Sequence, residues 1–389
     1  MRVLWVHSGS WKSHAAIAYI GVHNGWSFAK AGFETHLLMP DTDPSSDTDG
    51  DLRNFYGLEP HPLLHIHRIN LLRRWWNVQH PYFSLAENMA SKFCRTGSLL
   101  VLTREQRFLP QLARIAAKPN CHCLFETHYF YADQSWRDSV SISRGDQKRG
   151  ELERKFFTRI DGIVAITSDQ LSLYKKALPE LRGLVAPLGV KTLTMLNTVE
   201  VEARRKRRVV AYIGHLMRSK GIPRMLSVAE ALSKENIRLA IFGGTPAEAK
   251  QLRASTEISE YNISITSFLP PTEMFQVLAD TASIGIVALE DNFFNRHLTC
   301  PVKALDFLAL GMPVVASDLP STRNVLGDAA LYFPANNSKL MTEQIGKLLN
   351  NVDVYRNLSD KVRARAQLLN WESRAKGLID WVGAKHSSY

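Results

Sequence analysis

Short apolar runs alternate along almost the whole chain with segments in which apolar residues recur at helical spacing. The first apolar run lies at residues 3–6, and a helical pattern follows at residues 13–30. Such alternation is typical of βαβ units that form a mainly parallel sheet. The sequence therefore predicts an α/β fold built from doubly wound, Rossmann-like sheets.

The strands fall into two series, separated by a charged stretch at residues 200–208. The first series is predicted at residues 2–7, 35–39, 64–69, 99–102, 121–126, 162–166 and 184–186. The second is predicted at residues 209–213, 238–242, 264–268, 284–287, 313–316 and 331–333. We therefore expect two domains, at residues 1–195 and 205–369, with the basic run at 204–208 as a solvated surface linker; a nuclear or nucleic-acid signal is the alternative reading of that run.

Composition narrows the class of protein. The chain has 389 residues, 45% of them hydrophobic, and its four cysteines form no C-x-x-C pair, so we expect reduced, packed thiols and not a disulfide framework. Neither the first apolar run nor any later one is long enough to span a membrane, which predicts a cytoplasmic protein. The net charge of +11 favours polyanionic partners, but it is spread over both halves, and no aromatic RNP-like strand, zinc spacing or helix-turn-helix signal accompanies it. A nucleic-acid-binding protein is therefore the weaker alternative, and we expect no nucleic-acid partner.

Ligands of open parallel sheets lie at the carboxyl ends of the strands, so the residues after each strand are the candidates. In the stretch 212–221 a strand leads into Gly214, a basic loop and a helix that begins near Gly221. Backbone N–H groups and the Lys220 ammonium at such a helix start suit a diphosphate. An ordinary βα loop with a solvated lysine is the alternative.

The next strand ends in Gly243-Gly244, where missing side chains would let a nucleotide approach the backbone. Tight-turn chemistry explains a glycine pair equally well.

The stretch 300–315 is the most informative. A helix that begins near Pro301 directs free N–H groups at an anion, and Asp306 can accept hydrogen bonds from ribose hydroxyls. A solvated acid on an amphipathic helix is the alternative, although a carboxylate among apolar neighbours needs a partner. In the first half, His128 ends a strand and can reach a sugar hydroxyl or stabilise developing charge; a purely structural histidine is the alternative.

Taken together, these segments resemble the retaining glycosyltransferases of the GT-B fold, family 4, over essentially the full chain. The resemblance implies two Rossmann-like domains that face each other across a cleft, with a C-terminal helix at about 370–389 that returns to the first domain. It implies that Gly9 approaches the donor, that His128 contacts the transferred sugar and that Lys220 binds the diphosphate. His215 stands where the family's G-R-L-x-x-x-K-G motif has arginine, and Arg218 or Lys303 is the candidate to replace its charge.

The family's paired-glutamate motif is altered here as well, because Leu298 and Asp306 stand at its two acidic positions. The segment 301–307 is similar to a subgroup with a P-x-K-x-x-E pattern. The resemblance implies His128 and Lys220 as catalytic residues. The implied donor-binding residues are Gly9, Gly214, His215, Arg218, Gly243, Gly244, Phe268, Leu298, Thr299, Cys300, Pro301, Val302, Lys303 and Asp306.

The implied reaction is metal-independent, needs no cofactor and retains the anomeric configuration of a hexosyl group carried on UDP or GDP. The implied acceptor is a glycan, glycolipid or polysaccharide precursor. The cationic and aromatic stretch 68–76, with Tyr82 and Phe83, suits a lipid-linked acceptor or the anionic cytoplasmic face of a membrane. Partial burial of its two tryptophans, Trp75 and Trp76, in the core is the alternative.

Two rival functions stay open at this point. A metal-dependent, single-domain GT-A transferase could use the D-x-D pair Asp41 and Asp43, which otherwise belongs to a flexible acidic loop. A degenerate, non-catalytic nucleotide-sugar-binding scaffold would fit the replacements at His215 and Leu298.

Overall fold

The protein is described from a computed structural model that covers residues 1–13, 15–70, 80–137, 142–191, 200–256 and 262–384. The chain divides into two compact units. Unit 1 comprises Met1–Gly189 with Trp371–Tyr389, and unit 2 comprises Val190–Asn370. The alternative of a single-domain GT-A transferase is therefore wrong.

Within the described residues, unit 1 holds a sheet of seven parallel strands in the order β3-β2-β1-β4-β5-β6-β7. The strands are β1 (Arg2–Val6), β2 (Thr35–Asp41), β3 (Leu64–Asn70), β4 (Leu99–Thr103), β5 (Cys121–Thr127), β6 (Gly162–Ala165) and β7 (Gly183–Val185). The helices of this unit are α1 (Ala16–Lys30), α2 (Thr48–Asp51), α3 (His80–Phe93), α4 (Leu109–Ala116), α5 (Arg144–Phe156) and α6 (Ser168–Ala177), with a π-helical turn at Leu52–Tyr56.

Unit 2 repeats the plan. Its described residues form a six-stranded parallel sheet in the order β10-β9-β8-β11-β12-β13. The strands are β8 (Val209–Ile213), β9 (Arg238–Phe242), β10 (Ile263–Thr266), β11 (Ile284–Val287), β12 (Val314–Ser317) and β13 (Ala330–Phe333). The helices are α7 (Val201–Lys206), α8 (Ile222–Lys234), α9 (Pro246–Ala254), α10 (Pro271–Thr281), α11 (Val302–Ala309), α12 (Pro320–Leu326), α13 (Ser338–Asn350) and α14 (Val352–Leu368); α15 (Trp371–Gly383) follows in unit 1.

The central strands are buried on both faces, as near-continuous apolar runs require. Val3, Leu4 and Trp5 of β1 are fully buried between β2 and β4. Each strand lies within two residues of its predicted range at either end, so the predicted α/β fold with two parallel sheets is confirmed. The four cysteines are buried and free, as expected.

The basic run at 204–208 is not a solvated linker, so that prediction is wrong. Residues 201–206 form helix α7, and Arg204 is buried, with its guanidinium donating to the Gly311 carbonyl over 2.8 Å. Arg205 donates to the Leu349 carbonyl and Arg207 to the Ala279 carbonyl. Guanidinium groups here bind the carbonyl ends of neighbouring helices, where positive charge is favourable.

No helix among the described residues is both long and apolar enough to cross a membrane.

Candidate functional site

The strand order of unit 2 creates a switch point between β8 and β11. Chain connections leave these two neighbouring strands in opposite directions, which opens a crevice at their carboxyl ends. The loop 214–221 follows β8, and residues 288–290 follow β11. The two segments are joined, since the Glu290 N–H donates to the Ser219 carbonyl over 3.2 Å.

Gly221 fixes the course of this loop. Its φ is +87°, and a Cβ placed on it would lie 1.9 Å from the Ala288 carbonyl oxygen. A side chain at this position is therefore excluded both by backbone conformation and by space. The loop turns once at Arg218–Lys220 and enters helix α8 directly after Gly221.

The glycine pair after β9 has a structural explanation. A Cβ on Gly243 would lie 1.7 Å from the Gly214 carbonyl oxygen, and Gly244 has a left-handed φ of +71°. The missing side chain at Gly243 lets the β8 and β9 loops pack together. Close backbone packing thus accounts for Gly243, and the tight-turn alternative accounts for Gly244, without a ligand.

Lys303 brings a cation to the switch point from helix α11. Its Nζ lies 3.7 Å from the centre of the Tyr212 ring and is buried without a hydrogen-bond partner among the described residues. Burial, with the nearby charge of Lys220, holds the pKa of Lys303 well below its usual value. An ammonium in this position lacks the anion that would offset its lost hydration.

The helix that carries Lys303 begins beside the same loop. Helix α11 starts after Pro301, and no side chain caps its first N–H groups. The ammonium of Lys303 also lies close to Gly214, 3.5 Å from where a Cβ would stand. The structure therefore brings together the β8 loop and the first turn of α11, two elements that the sequence predicts, each on its own, to bind an anion.

The other basic residues of the β8 loop differ in exposure. Burial lowers the pKa of Lys220, whose Nζ lies 5.8 Å from the centre of the Phe294 ring. The Arg218 side chain is 85% exposed and lies 3.7 Å from a Glu290 carboxylate oxygen. The exposed His215 ring packs edge-on against Phe268, with 5.2 Å between ring centres. Burial and the Lys220 charge lower the pKa of His215.

Asp306 has a partner that sequence reasoning missed. Burial raises its pKa to about 7, against the opposing charges of Lys191 and Lys303. Lys191 is itself buried, which lowers its pKa to about 8 although the Asp306 charge raises it. No spacing signal links these residues, because Lys191 lies more than a hundred positions before the helix.

The segment before α11 contributes no exposed side chain. Those of Leu298, Thr299, Cys300 and Pro301 are buried, and that of Val302 is partly buried. Leu298, at the position of the family's first glutamate, is only 1% exposed, so its side chain is not presented to a ligand.

In unit 1, His128 belongs to a buried polar network at the end of β5. Its Nε2 lies 2.5 Å from a Glu126 oxygen, and the other Glu126 oxygen accepts from Arg374 over 2.6 Å and from Asn24 over 3.2 Å. Burial and the charge of Arg104 lower the pKa of His128 to about 4, although Glu126 raises it. The Glu126 pKa lies below its usual value because Arg374, His128 and Arg104 outweigh its burial. His128 is therefore neutral near pH 7.

Gly9 lies in the loop after β1, where a Cβ would meet the His7 ring at 2.9 Å and the backbone of Ala18 at 3.1 Å. The His7 Nε2 bonds the Ile17 carbonyl over 2.8 Å, and burial with the Arg104 charge lowers the His7 pKa to about 3. The glycine thus lets the β1 loop pack against the start of helix α1.

The structure shows where two other candidate features of unit 1 lie: the acidic pair Asp41 and Asp43, and the cationic and aromatic residues Arg68, Tyr82 and Phe83. Asp41 is buried and bound by Arg68 over 2.6 Å, and it accepts from the Asp43 N–H over 3.0 Å, so the first acid of the proposed D-x-D metal pair is already engaged, whereas Asp43 is exposed. Arg68 is 3% exposed, and Tyr82 and Phe83 are buried, so their predicted place on a lipid-facing surface is wrong. The remainder of that stretch, residues 71–79, lies outside the described residues.

A histidine cluster at the opposite, amino-terminal end of the same sheet has metal-ligand chemistry. Ligating atoms of Glu34, His36 and His65 lie within 4.8 Å of one another. Glu34 binds Arg2 over 2.7 Å, and His36 bonds Glu34 over 3.2 Å and His67 over 3.0 Å. Hydrogen bonds of Glu34 and His36, with His65 stacked on His36 at 4.7 Å between ring centres, account for this arrangement.

Two Rossmann-like parallel sheets, each with a switch point, define the GT-B class of fold. Residues 207–351 match the family model described as Glycosyl transferases group 1. An uncharacterized glycosyltransferase of Haemophilus influenzae is 22% identical over 233 residues, which cover 58% of this chain and 61% of the relative. The alignment thus spans about three-fifths of that curated relative's length.

Solved structures resemble the whole chain in fold. Sucrose-phosphate synthase from Thermosynechococcus elongatus has a TM-score of 0.71 at 16% identity and covers 100% of both chains. Staphylococcus aureus TarM gives 0.70 at 10% identity, with 98% of this chain and 99% of that chain covered. Anabaena HepE in complex with UDP gives 0.68 at 12% identity, with 99% and 100% covered. The fold and the family match in unit 2 together support a GT-B glycosyltransferase.

Proposed function

We propose that the protein is a retaining, metal-independent glycosyltransferase that moves a hexosyl group from a nucleotide-diphosphate donor to a glycan, glycolipid or polysaccharide precursor. The observation that carries this proposal is the buried, unpaired ammonium of Lys303 beside the uncapped start of α11 and the loop that bears Lys220. A diphosphate would supply the missing negative charge to all three groups.

The same groups suit catalysis of group transfer. Negative charge develops on the departing diphosphate, and preorganised cations in a site with little water stabilise it strongly. Lys303 and Lys220 would neutralise that charge, and Lys303 would supply the charge that His215 does not carry in place of the family's arginine. Because no protein nucleophile is assigned, the rate depends on the positioning of donor and acceptor.

The neutral His128 suits contact with a sugar. Its Nε2–H donates to Glu126 in the tautomer that this bond requires, which leaves its Nδ1 as a hydrogen-bond acceptor. A sugar hydroxyl is a fitting donor. This role replaces the alternative of direct charge stabilisation by an imidazolium, because the low pKa keeps the ring uncharged.

The donor is proposed to be a UDP-sugar, with the base contacting the strand ends near Gly244 and Phe268 and the ribose contacting Asp306. Structures of Anabaena HepE contain UDP and UDP-glucose, which supports this choice. GDP-sugars are the alternative donors. Peripheral contact with an anionic membrane remains a proposal for a lipid-linked acceptor.

Lysine substitutions test the proposed diphosphate site. We expect Lys303→Met and Lys220→Ala each to lower nucleotide release from UDP-glucose and acceptor by about 10²-fold or more, the scale found when one charge-stabilising group is removed. UDP should also raise the melting temperature of the wild type but raise that of Lys303→Met far less. Lys234→Ala, at an exposed lysine of α8, is the matched control.

Near-normal turnover in both site variants would overturn the assignment of these lysines. Binding of UDP without nucleotide release, across a panel of donors and acceptors, would favour the degenerate scaffold. Loss of turnover in EDTA and its recovery with Mg²⁺ or Mn²⁺ would refute metal independence.

A further inference from the structure

Unit 1 also has a switch point in its sheet, and a second cationic residue, Arg104, lies at it. The order of its sheet places the switch between β1 and β4, and Arg104 directly follows β4. The Thr103 hydroxyl donates to the Val6 carbonyl over 2.9 Å and accepts from the Glu105 N–H over 3.1 Å, which holds the backbone on both sides of Arg104. The residue is therefore fixed at the edge of the sheet where ligands bind.

The Arg104 guanidinium has no protein partner within the described part of the chain. Its Nη1 is buried and makes no hydrogen bond. Burial lowers the pKa of Arg104, with Glu126 opposing the shift and Arg374 adding to it. An arginine usually binds carboxylates through paired N–H groups, so an unbonded one in this position is unusual.

Both carboxylates near Arg104 are already engaged. Glu126 is bound on one oxygen by His128 and on the other by Arg374 and Asn24. Glu105 is held on both oxygens by the side chain of Arg107, at 2.8 and 3.1 Å. Neither acid can pair with Arg104 without losing its own partner.

The charges of the network leave a positive excess. Glu126 balances Arg374, Glu105 balances Arg107, and the two histidines of the network, His7 and His128, are neutral near pH 7. The charge of Arg104 thus remains uncompensated, and a buried charge without a counter-ion is costly.

We propose that Arg104 binds an anionic oxygen group, a phosphate or a carboxylate, on the sugar substrate handled by unit 1. Next to it, the Nδ1 of His128 accepts a hydrogen bond from a hydroxyl. A group that offers an anion and a hydroxyl side by side is a sugar phosphate or a sugar acid. The sugar character of the ligand rests on the proposed transferase function, whereas the anion-binding property rests on Arg104 and its surroundings.

Phosphate binding to the full chain tests the anion site without any need for turnover. Inorganic phosphate is titrated at constant ionic strength into a Lys303→Met background, which removes the proposed diphosphate cation of unit 2, and the melting temperature is recorded. We expect Arg104→Gln to weaken phosphate binding about tenfold to a hundredfold, as the loss of charge-assisted hydrogen bonds predicts. Arg104→Lys should retain part of the affinity, and Arg95→Gln, at an exposed arginine of unit 1 outside this network, should retain all of it.

Stability without ligand separates a binding role from a structural one. Because Arg104 makes no bond that its loss would break, Arg104→Gln should melt at or above the temperature of its parent in phosphate-free buffer. A lower melting temperature, as expected for a structural arginine, would overturn the proposal. An unchanged response to phosphate in Arg104→Gln would overturn it as well.

Paired sugars then identify which substrate carries the anion. Glucose 6-phosphate is compared with glucose in the presence of UDP, and UDP-glucuronate is compared with UDP-glucose. An Arg104-dependent preference in the first pair assigns the anion to the acceptor, and one in the second pair assigns it to the transferred sugar. Absence of an Arg104-dependent preference in both pairs overturns the substrate class, whereas the phosphate titration stands even if no transfer occurs.

Discussion

At the scale of single residues, the most informative groups are cations that the protein leaves unpaired. Lys303 in unit 2 and Arg104 in unit 1 each hold a buried nitrogen that lacks a partner among the described residues. Each stands at the carboxyl edge of its sheet, beside other charged or polar groups that already have partners. Proteins tolerate such destabilising groups where a ligand supplies the missing interaction.

Asp306 illustrates a different cost of burial, which predicts a pH effect. Its folded-state pKa of about 7 lies above the ordinary value of 3.8, so the folded state holds the proton over this interval while the unfolded state releases it. The contribution of Asp306 to the free energy of unfolding should therefore fall as pH rises from about 4 to 7. In Asp306→Asn this contribution is absent, so the variant should gain stability relative to the wild type across that window.

Urea denaturation at half-unit steps between pH 4 and 7.5 measures the difference. Asp280→Asn, at an exposed acid of α10 in the same unit, serves as the control. If the difference in stability between Asp306→Asn and the wild type stays constant from pH 4 to 7.5, burial does not raise the pKa of the Asp306 carboxyl.

At the scale of elements, the recurring feature is a strand, a short loop and a helix. The loop between β8 and α8 depends on Gly221, which combines a left-handed backbone with close contact to Ala288. Its packing sets the place of Lys220, one residue earlier. Local backbone geometry thus determines where a functional cation lies.

Two glycine variants separate backbone strain from steric contact. Gly221→Ala should cost at least about 2 kcal/mol, because left-handed strain adds to a clash that only a shift of the backbone relieves. Gly311→Ala shares the left-handed φ, +59°, but meets no atom nearer than 3.6 Å, so it should cost about 1 kcal/mol. Chemical denaturation gives the free energy of unfolding of both variants. Equal losses of stability would show that the backbone near Ala288 moves aside without a measurable loss of stability.

At the scale of the whole molecule, the end of the chain completes unit 1. Helix α15 returns after unit 2 and packs on α1, and Gly189 approaches Trp371 so closely that a Cβ would lie 2.5 Å from its ring. Arg374 then reaches Glu126 and Asn24, at 2.6 and 3.0 Å. The buried network that holds His128 therefore needs residues from both ends of the sequence.

Substitution of Arg374 tests whether the buried network around His128 depends on helix α15. Arg374→Ala leaves the buried Glu126 without its main counter-charge and should cost about 3–5 kcal/mol of stability. Lys376→Ala, at an exposed position of the same helix, should change stability by less than about 0.5 kcal/mol. Urea unfolding followed by tryptophan fluorescence compares them; a loss below about 1 kcal/mol for Arg374→Ala would mean that the carboxylate finds another partner.

The sequence anticipated part of the site and missed the rest for identifiable reasons. Lys220, Lys303 and Asp306 follow strands or begin a helix, so the rule that ligands lie at strand ends finds them. Arg104 carries the same signal, since it comes directly after β4, and sequence reasoning could have included it. Lys191 interacts with Asp306 and Arg374 with Glu126, and both partners lie far away in the sequence, so no local pattern identifies these pairs.

Alternating apolar runs and helical periods by themselves determined the strands, their parallel arrangement and the α/β class, because the apolar period that distinguishes a strand from a helix lies within each segment of a few residues. Tertiary structure alone decided which polar groups are paired. It showed that Arg68 is paired with Asp41, that Arg204 binds a helix end, and that the Lys303 Nζ and the Arg104 Nη1 have no hydrogen-bond partner among the described residues. Pairing depends on distances between residues far apart in the chain, and those distances exist only once the sheets have formed.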